Sequence, residues 1–202
     1  MKIIDEQDLI PKYDILDKII CNHPFATNLS GSIDTITICL SERYGIPREM
    51  IEFDTSNTHI TLHVGKTTHS KDNFEYILYH EFGHAADRFN QDFKYSEKVK
   101  LQLSDREKIG VMELWNIYID SRLNMSGLFK LGYQPAAIGT VNGKIQKFPK
   151  GIDGKLLSHI SILESCGFIH KKANEVVYRI WNYPNTSMTY KDLILAVKEN
   201  IG

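Results

Sequence analysis

Cysteine is scarce in this chain of 202 residues: Cys21, Cys39 and Cys166 are odd in number and far apart. That pattern excludes a disulfide framework and makes a reducing, cytoplasmic compartment the expectation. Long hydrophobic runs are also missing. No stretch approaches the roughly 18 apolar residues that span a bilayer, so no membrane partner is expected. The opening MKIIDEQDLIPKYD is acidic and breaks its apolar pattern early, which does not suit a secretory signal. Charge of one sign is lacking too. Lys and Arg total 24 against 25 Asp and Glu, and with no basic run the chain offers nothing to nucleic acid. Repeats and low-complexity tracts are absent. What remains is an ordinary globular composition, 42% hydrophobic and 24% charged, enough for one domain with or without a small appendage.

One stretch organises the rest: Tyr79-His80-Glu81-Phe82-Gly83-His84-Ala85-Ala86-Asp87. It contains H-E-x-x-H, a pattern with a physical reason. Residues four apart share a helix face at about 6 Å between Cβ atoms. His80 and His84 can therefore converge on one Zn²⁺ at about 2.0–2.1 Å. Glu81 sits next to the first ligand, where its carboxylate reaches water rather than metal and can act as a general base. Phe74, Ile77, Leu78, Phe82 and Ala85 repeat at helical spacing, and Asp72 or Asn73 can cap the helix. Two solvated histidines on an amphipathic helix would carry the same letters. Gly83 costs about 1 kcal/mol inside a helix, which points to close packing or to room beside a metal.

The segment HEFGHAAD, His80 to Asp87, resembles the active helix of the lethal-factor-type and proline-proline endopeptidase metalloproteases, in the gluzincin branch of the zincins. The match covers about eight residues, with a looser echo near residue 120. It implies a zinc metalloendopeptidase acting on a peptide or protein substrate, with water activated by zinc and Glu81 as base. It also implies an α+β, zincin-like fold: a small mixed sheet and the active-site helix above a helical C-terminal subdomain. The metzincin extension fails here, because position 90 is Asn and position 87 is Asp. The gluzincin route takes its third ligand as a carboxylate from a later helix. Glu97, Asp105, Glu107, Glu113 and Asp120 are the candidates. Asp120 is favoured because Ile117, Tyr118, Ile119 and Leu123 flank it, and a buried carboxylate needs a partner. A salt bridge to Arg122 or to a lysine would meet that need equally, and Glu113 is the second choice. Related enzymes place Glu where this chain has Asp, one methylene shorter. Asp87 and Asn116 are candidates to orient a ligand imidazole through its second nitrogen. The oxyanion donor is assigned by position to Tyr133, in Gly132-Tyr133-Gln134-Pro135, with Tyr118, His170, Tyr178, Tyr183 and Tyr190 left open.

Residues 1–124 are expected to form the α+β part and residues 125–202 the helical subdomain, together one compact unit of unknown oligomeric state. Within the first part the pattern predicts a helix from Tyr13 to Ile20 and another from Ser32 to Tyr44, although Ile36-Thr37-Ile38 would also suit a strand. It then predicts strands Met50–Asp54 and His59–Val64. The second reads either as an edge strand that pairs with an extended substrate or as an ordinary half-buried strand. His59 and His63 share one face and read as solvated or as substrate contacts. Ser104-Asp105-Arg106-Glu107 reads as a capping box opening a helix to Asn124. Helices over 156–166, 171–182 and 190–200 follow, with Thr189 capping the last. Two other functions share these letters. A peptide deformylase would use Cys39 as its third ligand, but lacks its Gly-rich loop here, and Cys39 falls in the predicted helix. A catalytically silent or latent zincin-fold binding protein is the other; retained Glu81 opposes the silent form, and Cys21 or an N-terminal acid could close the latent one.

Overall fold

Alternating β-branched residues and one long amphipathic helix shape the first ninety residues. The computed structural model describes residues 1–10, 14–25, 29–40, 50–54, 58–65, 74–128, 139–141, 144–146, 151–184 and 187–201. The chain divides into two compact units, Met1–Asn90 and Gln91–Gly202.

In the first unit the elements run β1 (Lys2–Ile4), α1 (Asp14–Cys21), α2 (Leu29–Ser32), β2 (Thr35–Leu40), β3 (Met50–Phe53), β4 (His59–Val64) and α3 (Phe74–Phe89). The sheet is mixed, in the order β1-β2-β4-β3. β1 and β4 run parallel to β2, and β3 runs antiparallel to β4. The helix expected over residues 32–44 is largely strand. Thr35, Ile36, Thr37 and Ile38 are all β-branched and stiff at χ1, which favours pleated backbone. Ile36 and Ile38 are buried while Thr35, Thr37 and Cys39 are half-buried, a period of two rather than 3.6. On β4 the same alternation buries Ile60, Leu62 and Val64. With Leu16, Ile19 and Ile20 of α1 and Phe74, Leu78, Phe82 and Ala85 of α3, these residues form the core of the unit. Each such side chain contributes about 1.5–3 kcal/mol by leaving water. The N-cap expected at Asp72 or Asn73 lies outside the described residues.

The sheet order overturns the edge reading of His59–Val64 and leaves the half-buried strand. β4 is flanked by β2 on one side and β3 on the other, so both of its edges are already paired. His59 and His63 are engaged across strands: Nε2 of His59 lies 2.7 Å from Oγ1 of Thr37, and Nε2 of His63 lies 3.1 Å from Oε2 of Glu52.

In the second unit come α4 (Glu97–Leu101), α5 (Asp105–Met125), β5 (Gly139–Val141), β6 (Lys144–Gln146), α6 (Ile152–Ser165), α7 (His170–Asn182) and α8 (Tyr190–Lys198). The two compact units divide at Asn90. The reason is α5, which packs against α6, α7 and α8 and so belongs with the helices that follow it. Both anticipated caps form as capping boxes, Ser104 with Glu107 and Thr189 with Asp192. Gly110 lets α8 approach closely, since a Cβ there would lie 3.2 Å from Val197 Cγ1. None of the described helices is long and apolar enough to cross a membrane.

Candidate active site

α3 positions the three motif side chains. His80 and His84 are buried, 8% and 7% exposed, on one helix face. Their ring centres lie 5.2 Å apart with 76° between the planes. Two imidazoles bound at about 2.0–2.1 Å to one tetrahedral zinc place their ring centres about 5 Å apart. The ring-centre separation matches that of two imidazoles on one zinc, and two nitrogen donors are chemistry that metal accepts. Gly83 between them is buried, as is Asp87. The structure puts Asp87 one turn beyond His84 on the same helix, where the expected imidazole-orienting role remains a proposal.

Glu81 is half-buried, and its Oε2 accepts a hydrogen bond from the main-chain N–H of Ile51 at 3.1 Å. The motif carboxylate is thus held by the outermost strand, β3. Further along the same helix, Phe89 meets Phe53 edge-to-face at 5.8 Å, and the Arg88 guanidinium stands 4.3 Å over the Phe53 ring. On its other flank α3 is tied to α1. Lys18 Nζ bonds Glu75 Oε1 at 2.7 Å, and that carboxylate raises the Lys18 pKa. Buried His23 donates from Nε2 to the Tyr79 carbonyl at 2.9 Å, and Phe25 N–H donates to its Nδ1 at 3.4 Å. That pattern is the neutral Nε2–H tautomer. Burial also pushes the Tyr79 hydroxyl pKa up, against a smaller opposite effect of Lys18.

The carboxylates considered as third ligand lie on α5, in the second unit. Asp120 is fully buried. Its Oδ2 accepts from Lys155 Nζ at 2.7 Å and faces His159 Nε2 at 3.2 Å. Lys155 supplies a salt bridge, and Arg122 lies over the Tyr118 ring at 3.9 Å. Glu113 is engaged at both oxygens: Oε1 with His159 Nδ1 at 2.6 Å, and Oε2 with Asn116 Nδ2 at 3.2 Å. One imidazole therefore joins the two candidates. Asn116 serves Glu113 and is not placed against an imidazole by this bond. Of the other acids, Glu97, Asp105 and Glu107 lie in the first turns of α4 and α5, and Glu107 is committed to its capping box.

Tyr133 lies outside the described residues. Cys39 is in a strand, not a helix, so that ground against a deformylase falls. It alternates with buried Ile38 and so faces away from the core. Among the described residues no three His, Cys, Asp or Glu side chains form a metal-holding group. Cys21, weighed as a closing ligand, is exposed. Three participants escaped the sequence reading. His159 and Lys155 sit in an apolar helical pattern with no motif to mark them, and the Ile51 amide carries no side-chain signal at all. No family model, curated protein or solved structure matches the chain.

Proposed function

We propose that the protein is a zinc-dependent metallopeptidase that hydrolyses peptide bonds. The observation that carries this reading is the pairing of His80 and His84 at 5.2 Å beside a carboxylate, Glu81, that is bonded to the sheet edge. His80 and His84 would hold the metal. Zinc, when bound, supplies a Lewis acid that acidifies water and polarises a carbonyl. Glu81 takes the proton from the attacking water and returns it to the leaving amine, so one carboxyl serves both steps. Asp120 is proposed as the third ligand on the grounds given by the sequence, with Glu113 as the alternative. Both carboxylates are engaged in the fold, Asp120 with Lys155 and His159 and Glu113 with His159 and Asn116, so the choice between them rests on the sequence. Tyr133 keeps its proposed place as oxyanion donor by chain position alone. An extended peptide substrate would add to an open strand edge, and on the α3 side of this sheet that is β3.

The test is Glu81→Gln, which keeps the size and removes the base. It should retain one zinc per chain and lose turnover of a quenched-fluorescent peptide library by about 10²–10⁴-fold or more. An active Glu81→Gln would end the mechanism. A wild-type protein that binds zinc firmly and cleaves nothing would favour the silent, partner-binding zincin instead.

A further inference from the structure

The contact between Glu81 and β3 has a geometric origin. In the antiparallel β3–β4 pair, bonded positions alternate with non-bonded ones. Asp54 N–H donates to the His59 carbonyl at 3.1 Å, and the register places Glu52 opposite Thr61 and Met50 opposite His63. The residues between, Ile51 and Phe53, therefore turn their main-chain groups away from β4, toward the open edge. An edge amide buried without an acceptor is costly. At Ile51 the acceptor is Oε2 of Glu81 at 3.1 Å.

We propose that the Ile51 main-chain N–H is the positioning group for the Glu81 carboxylate. The inference rests on the peptidase reading and adds to it how the base is aimed. A Glu side chain on a helix has three rotatable bonds and no fixed direction. A hydrogen bond from a strand amide to one oxygen restricts the rotation of the carboxylate and anchors it to β3. Such a donor is charge-assisted and short-range, and misplacement by about 1 Å can cost on the order of 10²-fold in rate. The Ile51 amide is then committed to the base, so an extended substrate on β3 pairs with the main chain of Phe53 and not with Ile51 N–H.

Two measurements on the full chain test this. In amide hydrogen exchange, Ile51 N–H should be slowed at least about tenfold in the wild type relative to Glu81→Ala, and Glu81→Gln, which keeps an acceptor oxygen, should preserve most of the protection. In steady-state hydrolysis of the quenched-fluorescent library, Ile51→Pro should lower kcat by about 10²-fold with KM nearly unchanged and zinc content intact. Phe53→Pro disturbs the same edge without touching the base and should act on KM. Equal exchange of Ile51 in wild type and Glu81→Ala overturns the proposal. So does an Ile51→Pro variant with normal kcat, or one whose loss lies in KM. If Ile51→Pro fails to fold, the exchange result decides alone. A wild type without zinc and without turnover defeats the peptidase reading, while the exchange comparison still judges the contact.

Discussion

His159 holds two carboxylates at once, Glu113 at 2.6 Å and Asp120 at 3.2 Å, with Lys155 on the second at 2.7 Å. Two carboxylates, an imidazole and an ammonium share a nearly dry site. Removing one member leaves an uncompensated buried charge, which costs far more than the net worth of the pair. His159→Leu should therefore lower unfolding stability by about 3–5 kcal/mol, measured by urea denaturation. A loss below about 1 kcal/mol would show that water or rearrangement replaces the imidazole. At this scale the motif residues were legible because their spacing encodes helix geometry. His80, Glu81 and His84 share one helix, and local periodicity is enough to relate them. Asp120 was legible as a buried acid, from its apolar neighbours, but its partners were not. Lys155 and His159 lie more than thirty residues along the chain, and nothing local ties them to α5.

Elements that carry their own start signals were the most legible. Thr189 accepts from Asp192 N–H at 3.2 Å while Asp192 Oδ2 accepts from Thr189 N–H at 2.8 Å. Those bonds hold the Asp192 carboxyl below its ordinary value of 3.8. A lowered acid stabilises the fold above its unfolded pKa and loses that contribution as pH falls through the folded value. Thr189→Ala should cost about 1 kcal/mol at neutral pH and flatten the acid limb of the stability curve below pH 4, read by thermal unfolding at stepped pH. At the alkaline end Tyr190 does the reverse. Its ring packs against Tyr95 at 4.9 Å and Trp115 at 5.7 Å, and burial pushes its hydroxyl from 10.0 up to about 12. The unfolded chain releases that proton first. Stability should fall by about 1.4 kcal/mol per pH unit from pH 10 to pH 12, and Tyr190→Phe should abolish that slope. β2 was the least legible element. Ile33, Ile36, Leu40 and Tyr44 mimic a helical stripe, and only pairing with β1 and β4 decides for the strand. The edge assignment failed similarly, since chain order does not reveal that β4 lies between β2 and β3.

At the scale of the whole molecule the chain is two units meeting at residue 90, each with a core of its own. The second is built on α5, whose buried residues occupy much of its circumference and engage α6, α7 and α8. Residues 91–202 alone should therefore unfold cooperatively, with near-ultraviolet circular dichroism from the Phe93, Trp115 and Tyr190 cluster. A molten profile would show that this core needs the first unit. The central claim concerns α3, and metal content tests it most directly. Purified protein loaded with zinc and dialysed should retain one Zn²⁺ per chain by elemental mass spectrometry. Glu81→Gln should match it, and His80→Ala and His84→Ala should each retain none while keeping the helical signal. Full zinc in His84→Ala, or no zinc in the wild type, would contradict the account.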